Sequence, residues 1–123
     1  MRMFDRRSRK PSLLACLGAL FAALSVGLSA YAAHAVADAL VQSRLQTASL
    51  YLFGHGVALA ALAATAERLL ARAGLYLLLL GTLLFSGSLV GGALWQWSTR
   101  LAPVGGVTLM LGWVLLALNA LRR

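Results

Sequence analysis

Long uncharged apolar stretches alternate with short polar segments along the chain. The stretches cover about residues 12–33, 48–66, 73–94 and 104–121. Each is close to the roughly 20 residues that a helix needs to cross the hydrocarbon core of a bilayer. Because backbone groups in lipid must be satisfied within their own segment, the pattern predicts four transmembrane helices.

The segments between the stretches carry the polar side chains. Residues 1–10 form a basic tail. Residues 34–46 mix charged and amide side chains with apolar ones, which predicts a short amphipathic turn or helix at the membrane interface. The chain shows no linker, so we expect residues 1–123 to form a single transmembrane domain, an all-α, membrane-embedded four-helix bundle.

Composition supports a lipid environment. Hydrophobic residues make up 61% of the chain and charged residues 11%, with a mean hydropathy of +0.84. Soluble domains have about 25% charged residues, and a soluble fold of this size cannot hide so much apolar surface. The net charge of +8 sits at helix ends and in the tail, which argues against a nucleic-acid partner.

Basic residues also predict the orientation. Nine of the eleven Lys and Arg side chains fall in the tail, in the connection between helices two and three, and at the C-terminus. The other two are Arg44 and Arg100. By the positive-inside rule, we expect an N-in/C-in membrane protein, with both termini cytoplasmic.

The first 33 residues also resemble a secretory signal. A basic region and an apolar stretch lead to Ala30-Tyr31-Ala32, a small-x-small pattern of the kind that signal peptidases cleave. The apolar stretch exceeds the usual 7–15 residues of a signal peptide, which favours a retained helix.

Polar side chains in the outer half of the bundle form a candidate pocket. Tyr51 and His55 lie one turn apart on helix two, so they share a face. A histidine within a membrane usually faces the bundle and finds a partner, so we expect His55 to hydrogen-bond Tyr51, Ser86 or Ser88. The pocket residues are His34, Asp38, Tyr51, His55, Ser86 and Ser88.

Small residues predict where helices pack, because lipid gives helices no hydrophobic reason to associate and close backbone approach must replace it. We interpret these positions as seams within the chain, with a homodimer or partner face as the alternative. The candidate helix-packing residues are Gly56, Gly87, Gly91, Gly92, Gly105 and Gly106.

Catalytic chemistry is not indicated. The chain has three carboxylates and one cysteine, Cys16, and it shows no nucleophile–base–orienter set. We therefore expect no enzyme and no cofactor. A haem or metal site that uses His34 and His55 is a minor alternative, since no specific ligand motif supports it.

Four segments carry a family resemblance. The chain resembles the YgdD-like family of small four-helix inner-membrane proteins, a domain of unknown function with mitochondrial relatives. The resemblance implies the topology and a location in the bacterial inner membrane, but it supplies no activity. The segments are Ala33-His34-Ala35, Thr47 through Tyr51 to His55 with Ala58-Leu59, Leu84-Phe85-Ser86-Gly87-Ser88-Leu89, and Pro103-Val104-Gly105-Gly106 leading to Leu111-Gly112-Trp113.

The sequence therefore favours a non-enzymatic helix bundle, or an accessory subunit in the membrane. Its predicted partners are the lipid bilayer and other membrane proteins or a second copy of itself. The alternative is a small-molecule binder or transporter that uses an outer-leaflet polar pocket around His55.

Overall fold

Four α-helices make up the computed structural model, which describes residues 11–122. Each helix is long and apolar enough to cross a membrane, which confirms the all-α fold class. The predicted basic tail at residues 1–10 lies outside the described residues. The helices are α1 (Leu13–Ala35), α2 (Ala39–Leu62, followed by a 3-10 turn at Ala63–Thr65), α3 (Leu69–Trp95) and α4 (Leu101–Leu121).

Helix α2 begins at Ala39, well before the boundary predicted near residue 48. Asp38 caps it, since its Oδ1 accepts hydrogen bonds from the backbone N–H groups of Leu40 at 2.9 Å and Val41 at 3.0 Å. The prediction of a separate interfacial segment at 34–46 is therefore wrong. Most of that segment is the first two turns of α2.

Two other helices also begin earlier than the apolar pattern indicates. Arg72 lies in the first turn of α3, because a long basic side chain at a helix end can reach the membrane interface. Pro103 lies in the first turn of α4, where its missing N–H leaves no hydrogen bond unmade. Because of this charge and this proline, the apolar pattern predicts the starts of α3 and α4 too late in the chain.

The helices pair into two hairpins. Within the described chain, α1 packs on α2 and α3 packs on α4, and the two hairpins meet where α2 packs on α3. Helices α1 and α4 are the outer members of this series. The apolar core lies between the hairpins and contains Phe21, Leu59, Leu75, Leu78 and Leu109.

Reciprocal glycine contacts close each hairpin. A Cβ built on Gly18 would lie 2.6 Å from Gly56 O, and one built on Gly56 would lie 2.6 Å from Gly18 O. In the second hairpin the same reciprocal relation joins Gly74 and Gly112, at 3.0 Å and 2.9 Å. Only glycine permits the backbones to come this close.

The other candidate packing glycines have different roles. Gly105 packs against the backbone of Phe85, so it lies at a helix contact. Gly91 instead makes room for the ring of Trp97, and Gly92 for the methyl group of Thr99, both from the loop after α3.

Two of the candidate glycines do not lie at tight helix contacts. A Cβ on Gly106 would meet Phe85 Cδ1 at an ordinary 3.9 Å. A Cβ on Gly87 would meet nothing within 4 Å. The expected seam within the chain is therefore wrong at Gly87, because this residue faces the outside of the bundle, and a homodimer or partner face there stays a prediction.

Candidate functional site

His55 lies at the centre of the candidate pocket and is only 8% exposed. Its Nδ1 lies 2.8 Å from the carbonyl oxygen of Tyr51, one turn earlier on α2. Its Nε2 lies 3.0 Å from the indole Nε1 of Trp113 on α4. Both ring nitrogens therefore have protein partners.

These partners determine the tautomer of His55. An indole N–H can only donate, so Nε2 must accept and carries no proton. A carbonyl oxygen can only accept, so Nδ1 must carry the proton that it donates to Tyr51. His55 is thus held as the neutral Nδ1–H tautomer, and its one free lone pair is used by Trp113.

Aromatic rings enclose the histidine. The Tyr51 ring stacks near the His55 ring, with centroids 5.9 Å apart, and it packs on Phe85 of α3 at 4.6 Å. The Trp113 ring lies 5.8 Å from the His55 ring. His55 therefore joins α2 to α4, and its neighbour Tyr51 joins α2 to α3.

The two serines that we predicted as partners of His55 donate to other acceptors. Ser86 Oγ donates to the carbonyl oxygen of Ala48 at 2.9 Å, which joins α3 to α2. Ser88 Oγ donates weakly to the carbonyl oxygen of Ser98 at 3.5 Å, which ties α3 to its own loop. The expected hydrogen bonds from His55 to these serines are therefore wrong.

The other two candidate residues lie at the connection between α1 and α2. His34 is exposed in the last turn of α1. Asp38 is exposed and uses its carboxylate as the cap of α2. Among residues 11–122, no three His, Cys, Asp or Glu side chains come together as a possible metal site. The six candidate residues thus divide into two groups. Tyr51, His55, Ser86 and Ser88 make contacts within the bundle, whereas His34 and Asp38 are exposed at the end of the first hairpin.

Sequence reasoning missed the polar side chains that hold α1 to α2. Gln42 Nε2 donates to Ala32 O at 2.9 Å, and Ser49 Oγ donates to Ser25 O at 2.6 Å. Gln46 exchanges two hydrogen bonds with Ser29, at 2.8 Å and 3.2 Å. Gln42, Gln46 and Ser49 follow one another at helical spacing on one face of α2. That spacing is the signal that could have found them.

An open groove runs between α1 and α2. Its volume is about 560 Å³, and we call it the α1–α2 groove. Residues of both helices line it: Ser25, Val26, Ser29, Ala30, Ala33, His34, Gln46, Ser49, Leu50 and Phe53.

Two further cavities lie elsewhere on the molecule. A cavity of about 520 Å³ lies at the opposite end of the first hairpin, where Glu67 and Arg72 contribute to its wall. A smaller apolar cleft of about 240 Å³ lies between the hairpins, beside the buried Thr82 and below Trp97. His55 lines neither of these cavities nor the α1–α2 groove.

Known proteins resemble the chain along most of its length. A family profile described as "Protein of unknown function (DUF423)" matches residues 28–106. A UPF0382 membrane protein of Staphylococcus epidermidis is 34% identical over 114 residues, which cover 86% of this chain and 93% of that protein. The UPF0382 inner membrane protein YgdD of Escherichia coli K12 is 36% identical over 121 residues, which cover 84% of this chain and 88% of YgdD. No solved structure matches.

Proposed function

We propose that this chain, which belongs to the DUF423 family of UPF0382 membrane proteins, acts as a non-enzymatic interaction subunit within the membrane. The matches confirm the YgdD-like resemblance. The relative from Escherichia coli is named an inner membrane protein, which supports the same location for this chain.

The closed state of the polar centre carries the proposal. His55 is the one imidazole within the bundle, and both of its nitrogens are engaged by Tyr51 and Trp113. A general base or a metal ligand needs a free lone pair that a substrate or ion can reach. The arrangement instead matches the use of polar side chains as links between membrane helices. The groups left for partners are those on the lipid-facing surface.

Orientation is part of the same proposal. The nine-to-two distribution of Lys and Arg supports cytoplasmic termini and a cytoplasmic connection between α2 and α3. The α1–α2 groove then belongs to the outer half of the membrane. His55 lies 16 residues after the start of α2 and seven before its end, so under this orientation it is past the middle of the helix on the cytoplasmic side, and not in the outer half that the apolar pattern indicated.

A pull-down from the native membrane tests the interaction role. The tagged protein is extracted in a mild detergent, and the eluate is examined by mass spectrometry and by absorption spectroscopy. We expect a stoichiometric membrane-protein partner and a colourless eluate. A Soret band would contradict the proposal in favour of haem ligation.

The His55→Phe variant supplies the control. It removes the imidazole but keeps an aromatic ring, so a bundle that works through its surface keeps the partner. Loss of the partner from a variant that still elutes as a folded, monodisperse protein would favour a ligand-binding role for the polar centre. A wild-type eluate that holds only an isolated monomer would also contradict the proposal.

A further inference from the structure

The two hairpins repeat each other with an offset of 56 residues. Gly74 lies 56 positions after Gly18, and Gly112 lies 56 positions after Gly56. The reciprocal glycine contact of the first hairpin is therefore found again, in register, in the second. We call two residues 56 positions apart counterparts.

A second contact, seven residues further along, obeys the same offset. Ser49 Oγ donates to the carbonyl oxygen of Ser25 in the first hairpin. Their counterparts, Gly105 and Gly81, also meet, since a Cβ on Gly105 would lie 2.9 Å from Gly81 O. The α1–α2 and α3–α4 pairs are thus in the same register.

A third contact lies another seven residues along. Gln42 donates to the carbonyl oxygen of Ala32 at 2.9 Å, and their counterparts Ser98 and Ser88 are joined by a bond of 3.5 Å. In the second hairpin the donor is Ser88, and Ser98 lies in the loop before α4. Two contacts between helices and one with a loop therefore obey the same offset at seven-residue intervals, although the side chains differ.

Helix α2 packs against the second hairpin, mainly on α3. Ser86 of α3 donates to Ala48 of α2, and Trp113 of α4 donates to His55 of α2. Helix α2 therefore packs mainly on α3 and reaches α4 through the Trp113 bond and through the core that contains Leu59 and Leu109. This contact joins one hairpin to the other.

The first hairpin has the counterpart of the surface on which α2 packs, and it is open. The counterparts of Phe85 and Ser86 are Ser29 and Ala30, which line the α1–α2 groove. On the other wall of the α1–α2 groove lie Leu50 and Phe53, which are the counterparts of Gly106 and Leu109. The α1–α2 groove thus corresponds to the place where α2 packs on the second hairpin.

The face of α2 that packs against the second hairpin has a counterpart on α4. On α2 this face includes Leu45 and Ala48, which are both fully buried. Their counterparts on α4 are Leu101 and Val104, which are 53% and 52% exposed. The face is buried in one hairpin and exposed on an outer helix in the other.

From this repeat we propose that α4 of a second copy of the chain occupies the α1–α2 groove, in the way that α2 packs against the α3–α4 hairpin. Helices α2 and α4 run in the same direction, so both copies keep the same orientation in the membrane. The inference names one partner for the interaction role proposed above, and it rests on that role only in placing activity at the lipid-facing surface.

Such an interface is head-to-tail. The α1–α2 groove of one copy meets α4 of the next, and each copy keeps one unfilled groove and one free α4 face. Heterologous contacts of this kind close into a ring when the rotation permits it. The chain's own α4 packs on α3, at the far end of the helix series from α1.

Disulfide cross-linking between two differently tagged copies tests the proposal. In a Cys16→Ala background, one copy carries Ala30→Cys and the other carries Val104→Cys. These residues are the counterparts of Ser86 and Ala48, which are in hydrogen-bond contact. We expect oxidation in native membranes to give a dimer that contains both tags.

Three control pairings decide whether the contact is head-to-tail. Two Ala30→Cys copies, or two Val104→Cys copies, should give at most a minor product. Leu24→Cys with Met110→Cys should give none. These positions are 63% and 68% exposed, but each lies six residues from the corresponding test position and therefore points about 120° away from it around the helix. The proposal is overturned if the like pairs or the displaced pair cross-link as strongly as the proposed pair.

A second variant tests the groove without oxidation chemistry. Ala30→Trp places a bulky ring in the α1–α2 groove, so we expect the oligomer to become a monomer on size exclusion in mild detergent. Leu24→Trp is the matched control and should leave the oligomer unchanged.

The outcomes separate this inference from the proposed function. A heterologous partner in the pull-down with no cross-link between copies overturns self-association and leaves the interaction role standing. A wild-type monomer that Ala30→Trp does not change also overturns the inference. A cross-link between copies with no other protein in the eluate supports the inference alone.

Discussion

At the scale of single residues, the hydrogen bond from Trp113 to His55 connects two helices that are not neighbours in the chain. Polar interactions between membrane helices contribute about 0.6 kcal/mol on average and up to about 1.7 kcal/mol. The His55 bond belongs near the upper end, because His55 is buried and the loss of Trp113 leaves its Nε2 without a partner.

A double-mutant cycle measures this bond. We expect His55→Phe and Trp113→Phe to show a coupling energy of about 0.5–1.5 kcal/mol, in the free energy of unfolding in mixed micelles. Each single variant keeps an aromatic ring, so the cycle isolates the polar contact from the packing of the rings.

The matched control replaces the other histidine. His34 is exposed at the end of α1, so His34→Phe with Trp113→Phe should show no coupling. A coupling near zero for the His55 pair would mean that the bond contributes nothing to stability.

At the scale of helices, the close approach of α1 and α2 depends on glycine at one position and tolerates a side chain two residues away. A Cβ on Gly56 would lie 2.6 Å from Gly18 O and 2.9 Å from Ala22 N, and neither backbone atom can move aside cheaply. A Cβ on Gly54 would meet nothing within 4 Å.

Alanine at these two glycines should therefore act in opposite ways. We expect Gly56→Ala to destabilise the protein by about 1–3 kcal/mol, as overpacking does, by forcing α1 and α2 apart. Gly54→Ala should be neutral or slightly stabilising, since alanine is the better helix former. The free energy of unfolding in mixed micelles measures the effect of each variant. Equal effects of Gly56→Ala and Gly54→Ala would contradict a close contact of α1 and α2 at Gly56.

The sequence predicted the middle of each helix well and the ends poorly. Lipid imposes long apolar stretches, so those stretches identify the four helices. The ends depend on contacts between helices. Gln42 and Gln46 resemble interface residues until α1 provides the partners that allow them to lie inside a helix. No local pattern contains that information.

At the scale of the molecule, the pairing of helices lay beyond the sequence pattern. Small residues occur on several faces, and spacing alone cannot separate Gly87, which faces outward, from Gly105, which packs on α3. Trp113 is the partner of His55 although 58 positions of sequence separate them. Within an apolar stretch, nothing in the sequence distinguishes this indole from a ring that faces lipid. Sequence reasoning therefore identified Tyr51 as a partner of His55, missed Trp113, and was wrong about Ser86 and Ser88.

Orientation is a property of the whole molecule that reporter fusions test. We expect a fluorescent protein fused after Arg123 to be bright and alkaline phosphatase at that position to be inactive, because the positive-inside rule places the C-terminus in the cytoplasm. A fusion after Trp97 should give the opposite result. The reverse pattern at both positions would contradict the proposed topology.

The Trp113–His55 contact also gives the bundle an internal optical reporter. Of the three indoles in the chain, Trp95 ends α3 and Trp97 lies in the loop that follows. Both are exposed, and their rings stack with centroids 5.4 Å apart. With those two replaced by phenylalanine, all remaining indole emission comes from a ring that is hydrogen-bonded to an imidazole. Its wavelength and lifetime would then follow the separation of α2 from α4 directly, in intact membranes and without an added dye.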